Sequence, residues 1–124
     1  MSRYAPISEA DRWFEGENKQ LQFVVYQDDN PLSPEQDITT WNKFIWTFER
    51  YEGGPQILRF TEDGGKITKE TNLTAPGYDS IVQINIDNSD TAGRGRVDGY
   101  HHLWRMDPGQ EQLLAEGPAI LREA

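Results

Sequence analysis

Residues 19–27 place Leu21, Phe23 and Val25 at every second position, with Val24 and Tyr26 on the opposite face, which is the period of a strand. The run stops at Asp28-Asp29-Asn30-Pro31, where acidic side chains and a missing N–H favour a turn over further ladder pairing. Residues 44–51 repeat the pattern with larger side chains. Phe44, Trp46 and Phe48 share one face, and three rings on one strand face predict the centre of a core. Gly53-Gly54-Pro55 breaks this strand, a short strand is expected over 56–60, and Asp63-Gly64-Gly65-Lys66 predicts a turn before Ile67. The polar stretch 68–79 reads as a loop. Val82, Ile84 and Ile86 then alternate within 80–87, and the last two strands are expected at 99–106 and 112–121, joined at Asp107-Pro108-Gly109 as a hairpin.

Five to seven short strands separated by turns, without a sustained 3.6-residue period, predict an all-β antiparallel sandwich or barrel. A minor helix fits only near residues 8–15. One domain is expected, since 124 residues is the length of a single core. Residues 1–15 mix charges with Trp13 and Phe14 and read as an N-terminal arm, with the sandwich occupying 16–124.

Composition narrows the function. The hydrophobic share is only 35%, but fourteen aromatic residues can fill a small core. The net charge of −9 would repel a phosphate backbone or an anionic bilayer, so no nucleic-acid and no membrane partner is expected. Arg94-Gly95-Arg96 is the nearest approach to a basic patch. Cysteine is absent, which removes disulfides, thiolate metal sites and thiol nucleophiles together. The first residues lack the apolar stretch of an export signal.

Catalytic material is sparse, and no enzyme activity is expected. His101 and His102 are strand neighbours and point to opposite faces, so they cannot readily chelate one metal ion. One is expected to pack against Tyr100 or a Trp, the other to lie at the surface. Asp28, Asp29, Asp87, Asp90, Asp98 and Asp107 fall at turns where calcium could collect oxygens, but their spacing is not that of an EF-hand and Asp is a common turn and capping residue. No cofactor and no metal site is predicted. Four Trp exceed what one small core needs, and a partly exposed Trp suits an interface. Trp13, Phe14 and Trp41, with Arg94 and Arg96 as a second contact, are the expected partner-facing residues. Phe23, Phe44, Trp46, Phe48, Ile84, Tyr100 and Trp104 are the expected core.

The last third adds a resemblance. Ser89-Asp90-Thr91, the run from Gly99 to Gly109 containing Tyr100-His101-His102-Leu103-Trp104, and Leu114-Ala115-Glu116-Gly117 are similar to the close of the N-terminal domain of the phage baseplate upper protein family and its stand-alone relatives. Gly16, Tyr26 to Pro31, Asp37-Ile38-Thr39 and Gly64-Gly65-Lys66-Ile67 match its earlier pieces, so the likeness spans most of residues 16–121. It implies an immunoglobulin-like β-sandwich in a virion, made in the bacterial host cytoplasm and repeated in many symmetric copies. Its expected partners are other virion proteins of the capsid, neck, tail or baseplate. Baseplate members continue into a longer C-terminal part, whereas this sequence closes with the domain, so capsid decoration or a small adaptor role is expected. The alternatives are a carbohydrate-binding sandwich that stacks sugars on exposed rings and, more remotely, a small hydrolase. Replacing Trp46 with Ala is expected to cost about 3–5 kcal/mol, the loss typical of a large ring removed from a packed core; thermal or urea unfolding of the variant measures it.

Overall fold

The computed structural model describes residues 3–28 and 30–124. Seven antiparallel strands form two sheets: β1 (Lys19–Val24), β2 (Phe44–Glu49), β3 (Gln56–Thr61), β4 (Ile67–Thr71), β5 (Asp79–Ile86), β6 (Val97–Arg105) and β7 (Gln112–Leu121). One sheet has the order β1-β5-β4 and the other β3-β2-β6-β7. Two antiparallel sheets with these crossovers make a β-sandwich. Two 3-10 turns (Glu9–Asp11 and Asp63–Gly65) and a one-turn helix, α1 (Asn88–Thr91), complete the regular structure among the described residues.

Side-chain parity decides which residues are enclosed. On β2, Phe44, Trp46 and Phe48 are buried, and from the facing sheet β5 sends in Val82, Ile84 and Ile86. Residues 68–71, expected as part of a loop, belong to strand β4 (Ile67–Thr71). As a sheet edge β4 buries only Ile67 and leaves Thr68, Lys69 and Glu70 half-exposed, so its composition is polar even though its backbone is paired with β5.

Trp13, expected to face a partner, lies in the core with no exposed surface. Its indole meets Trp46 edge-on at 6.1 Å between ring centroids and Phe48 at 4.8 Å. The segment that carries it is a further partner of the larger sheet. Residues 3–15 run parallel to β7, with bridges Tyr4–Glu116, Ile7–Ala119 and Phe14–Arg122. The ladder alternates donors: Glu116 N–H to Arg3 carbonyl, Ala5 N–H to Glu116 carbonyl, Ile7 N–H to Pro118 carbonyl, Ile120 N–H to Ile7 carbonyl. The next bond of this series would run from residue 118 to the Ala5 carbonyl, but Pro118 has no N–H to give.

His101 takes that acceptor instead. Its Nε2 lies 2.6 Å from the Ala5 carbonyl oxygen, while Trp46 Nε1–H donates to Nδ1 at 3.1 Å. Two fixed partners of opposite kind define the tautomer: neutral imidazole, proton on Nε2. Gly117, the cross-strand neighbour of His101, permits the approach, because a Cβ there would come within 3.0–3.2 Å of the backbone of Ala5 and Pro6. On its other side the imidazole stacks on Phe23 of β1, with centroids 5.3 Å apart. Phe23 is half-buried against the core.

Burial pushes the His101 pKa down to about 4, against the opposing effect of its bond to Ala5. An unfolded histidine titrates near 6.5, so between pH 6.5 and about 4 the unfolded chain binds a proton that the folded chain refuses. His101 therefore contributes nothing to pH dependence above about 7, and about 3 kcal/mol of stability is lost as pH falls through that window. Urea unfolding at pH 7 and pH 4.5 should show the loss. In His101→Gln, whose amide can accept from Trp46 and donate to Ala5, this part of the pH dependence should vanish.

Candidate functional site

The outer face of the four-stranded sheet carries the residues that the core parity turns outward. On β2 these are Ile45, Thr47 and Glu49; on β6 they are Tyr100, His102 and Trp104, opposite them in register. Trp104 was expected in the core but is 38% exposed, and Met106 beyond it is 41% exposed. Tyr100, also expected in the core, lies on this outer face with its hydroxyl 3.3 Å from Glu116 Oε1. Both corrections have one cause. The core positions of β6 are Gly99, His101 and Leu103, and the imidazole takes the inward place that ring size suggested for Tyr100 and Trp104.

These side chains line a groove of about 530 Å³ floored by Ile45, Thr47, Glu49, His102, Trp104 and Met106. Its polar end is ordered from below. Glu49 Oε2 accepts from Thr47 Oγ1 at 2.6 Å, and Oε1 accepts from the Gly53 backbone N–H at 3.0 Å in the turn after β2. Burial pushes the Glu49 carboxyl up, but the bonds from Thr47, Gly53 and His102 outweigh it and hold the pKa below the usual range. Glu49 Oε2 also lies 3.0 Å from His102 Nδ1. A carboxylate can only accept here, so Nδ1 carries a proton and the ring orientation is fixed.

The other nitrogen, Nε2, faces Glu116 Oε1 at 3.5 Å. Glu116 sits directly across from His102 on β7, and exposed Glu52 brings its carboxylate close enough that the ligand atoms of Glu52, His102 and Glu116 all lie within 4.8 Å of one another. Among the described residues, these three form the group that could hold a metal ion. Burial and the charges of Glu116 and Glu52 push the Tyr100 phenol up. Both nitrogens of His102 face carboxylates, so the arrangement attracts positive charge.

The other expected contacts lie elsewhere. Trp41 is buried in the loop before β2, not at the start of that strand, and the Arg105 guanidinium covers its ring at 4.1 Å. Phe14 is half-buried between the guanidinium groups of Arg12 and Arg122, at 5.4 and 4.6 Å from its centroid. Arg94 is exposed and donates to the Asp90 carbonyl. Arg96, also exposed, is paired with Glu9 at 2.8 Å and Asp98 at 3.1 Å. The two histidines do face opposite sides of β6, His101 inward against Trp46 and His102 outward against Tyr100.

The turn aspartates serve the fold. Asp87 and Asp90 cap α1 and bind Lys66 at 2.9 and 2.6 Å. Asp107 holds Arg105 at 2.8 Å. Asp29 lies outside the described residues. The His102 cluster itself escaped sequence reasoning, although the spacing Tyr100-x-His102-x-Trp104 on a strand next to a hairpin partner bearing Glu116 carried the signal.

Comparison of the chain with protein-family models and with curated proteins finds no match. Replacing Glu49 with Gln turns one of its two acceptor oxygens into a donor, so that either Gly53 or the Thr47 and His102 pair loses its acceptor. It is expected to destabilise the domain by about 1–3 kcal/mol, the cost of leaving buried donors poorly satisfied, as measured by urea unfolding at pH 7.

Proposed function

We propose that this protein is a non-enzymatic binding module of a tailed-phage virion, and that it attaches through the outer face of its four-stranded sheet. The observation that supports this most is the pairing on that face of exposed apolar surface, Trp104 and Met106, with the carboxylates of Glu49, Glu52 and Glu116. An exposed Trp lining a shallow groove is of the residue types enriched among interface hot spots. Carboxylates around it select against acidic partners and draw basic ones. The partner that fits is a segment of another virion protein, from capsid, neck, tail or baseplate, presenting Lys or Arg beside an apolar side chain.

The virion setting rests on the likeness of residues 16–121 to the phage domain family. A particle repeats each contact many times, so a modest interface per copy suffices. The chain's net charge of −9 keeps unassembled copies apart in solution.

Mass spectrometry of purified virions should find this chain, with a copy number that separates capsid decoration from a neck, tail or baseplate position. Absence from the particle overturns the proposal. Trp104→Ala is expected to lower partner capture at least tenfold while thermal unfolding stays within a few degrees of wild type. Raising the salt should slow association, and a capture rate independent of ionic strength would remove the electrostatic part.

A further inference from the structure

We infer that Glu52, His102 and Glu116 form a divalent transition-metal site, best suited to zinc, on the outer sheet face. The inference stands on the site geometry and does not depend on the virion assignment.

The donor set is one imidazole nitrogen and two carboxylates, a combination that zinc accepts with three protein ligands and a fourth position left for water or an incoming side chain. Ligands bound at about 2.1 Å in a tetrahedron are separated by about 3.4 Å. His102 Nε2 and Glu116 Oε1 are already 3.5 Å apart, so this edge of the tetrahedron exists without movement. The third ligand comes from Glu52, whose exposed side chain turns inward at little cost from within 4.8 Å.

The orientation of His102 supports the assignment independently of the distances. Metal-bound histidines commonly donate their other N–H to a carboxylate, which fixes the tautomer and raises the basicity of the ligating nitrogen. Glu49 occupies that position, 3.0 Å from Nδ1, and is itself fixed by Thr47 and Gly53. The ligand, its orienting carboxylate and the groups that hold that carboxylate come from β2, the β2–β3 turn and β6; β2 and β6 are paired without a register shift, and the β2–β3 ladder shifts register between Phe48 and Glu49. Glu116 adds the neighbouring strand β7. His101 cannot compete, because both its nitrogens are engaged inside the core. A nitrogen ligand favours zinc over calcium or magnesium, which prefer all-oxygen sites.

Isothermal titration of the full chain with zinc chloride at pH 7.5 should show saturable uptake of one ion, with a higher melting temperature, and calcium or magnesium should not substitute. Glu116→Gln and Glu52→Gln, both changes at the surface, should each weaken zinc binding at least tenfold while leaving the metal-free melting temperature near wild type. Glu49→Gln should weaken it by about 10- to 100-fold, as expected for an orienting group. Cobalt loaded in place of zinc should give the visible absorption of a four-coordinate ion, lost in His102→Asn. Absence of saturable uptake in wild type, or equal affinity in wild type, Glu116→Gln and folded His102→Asn, overturns the assignment.

Discussion

The structure is organised around one buried imidazole. His101 receives a hydrogen bond from Trp46 on β2, gives one to Ala5 in the arm, and stacks on Phe23 of the opposite sheet. It therefore ties three segments and both sheets together at one point. In antibody domains a disulfide bridges the two sheets beside a buried Trp. This chain has no cysteine, and a Phe–His stack beside Trp46 links β1 of one sheet to β6 of the other. The substitute is non-covalent and requires the imidazole to stay neutral, which its burial enforces.

That arrangement determines the outer face as well. With His101 and Leu103 directed inward, strand alternation leaves Tyr100, His102 and Trp104 no choice but the outside. The exposed ring, the oriented imidazole and the carboxylate of Glu116 across the ladder are consequences of the same parity that builds the core. Adjacent histidines in one strand thus do opposite things. One is neutral, dry and structural; the other lies among carboxylates at the floor of an open groove.

Much of the fold was legible in the sequence. The period-two runs of β1, β2 and β5, the ring face of Phe44, Trp46 and Phe48, and the terminal hairpin were all local signals. Strand β4 was not, because an edge strand with one buried residue has the composition of a loop. Trp13 and Trp104 exchanged their expected places for a reason the sequence cannot display: an arm whose pairing is parallel and about a hundred residues distant, and an imidazole that replaces a larger ring in the core. The candidate site is a set of cross-strand neighbours, His102 with Glu116 and Glu49, and such pairs become visible only once register is known.

The parallel ladder between the arm and β7 also has a temporal side. Ala5 and His101 are 96 residues apart in sequence, and Trp13 pairs with Arg122 through a backbone bond of similar span. Contacts this distant close late, since the intervening chain must be ordered before they are rewarded. During synthesis the arm emerges well before β6 and β7 exist, so its backbone bonds to residues 116–122 and the cover of Arg122 on Phe14 form only once that segment is made. The β6–β7 hairpin is thus the element that fastens the arm, and completion of the sheet coincides with the docking of residues 3–15.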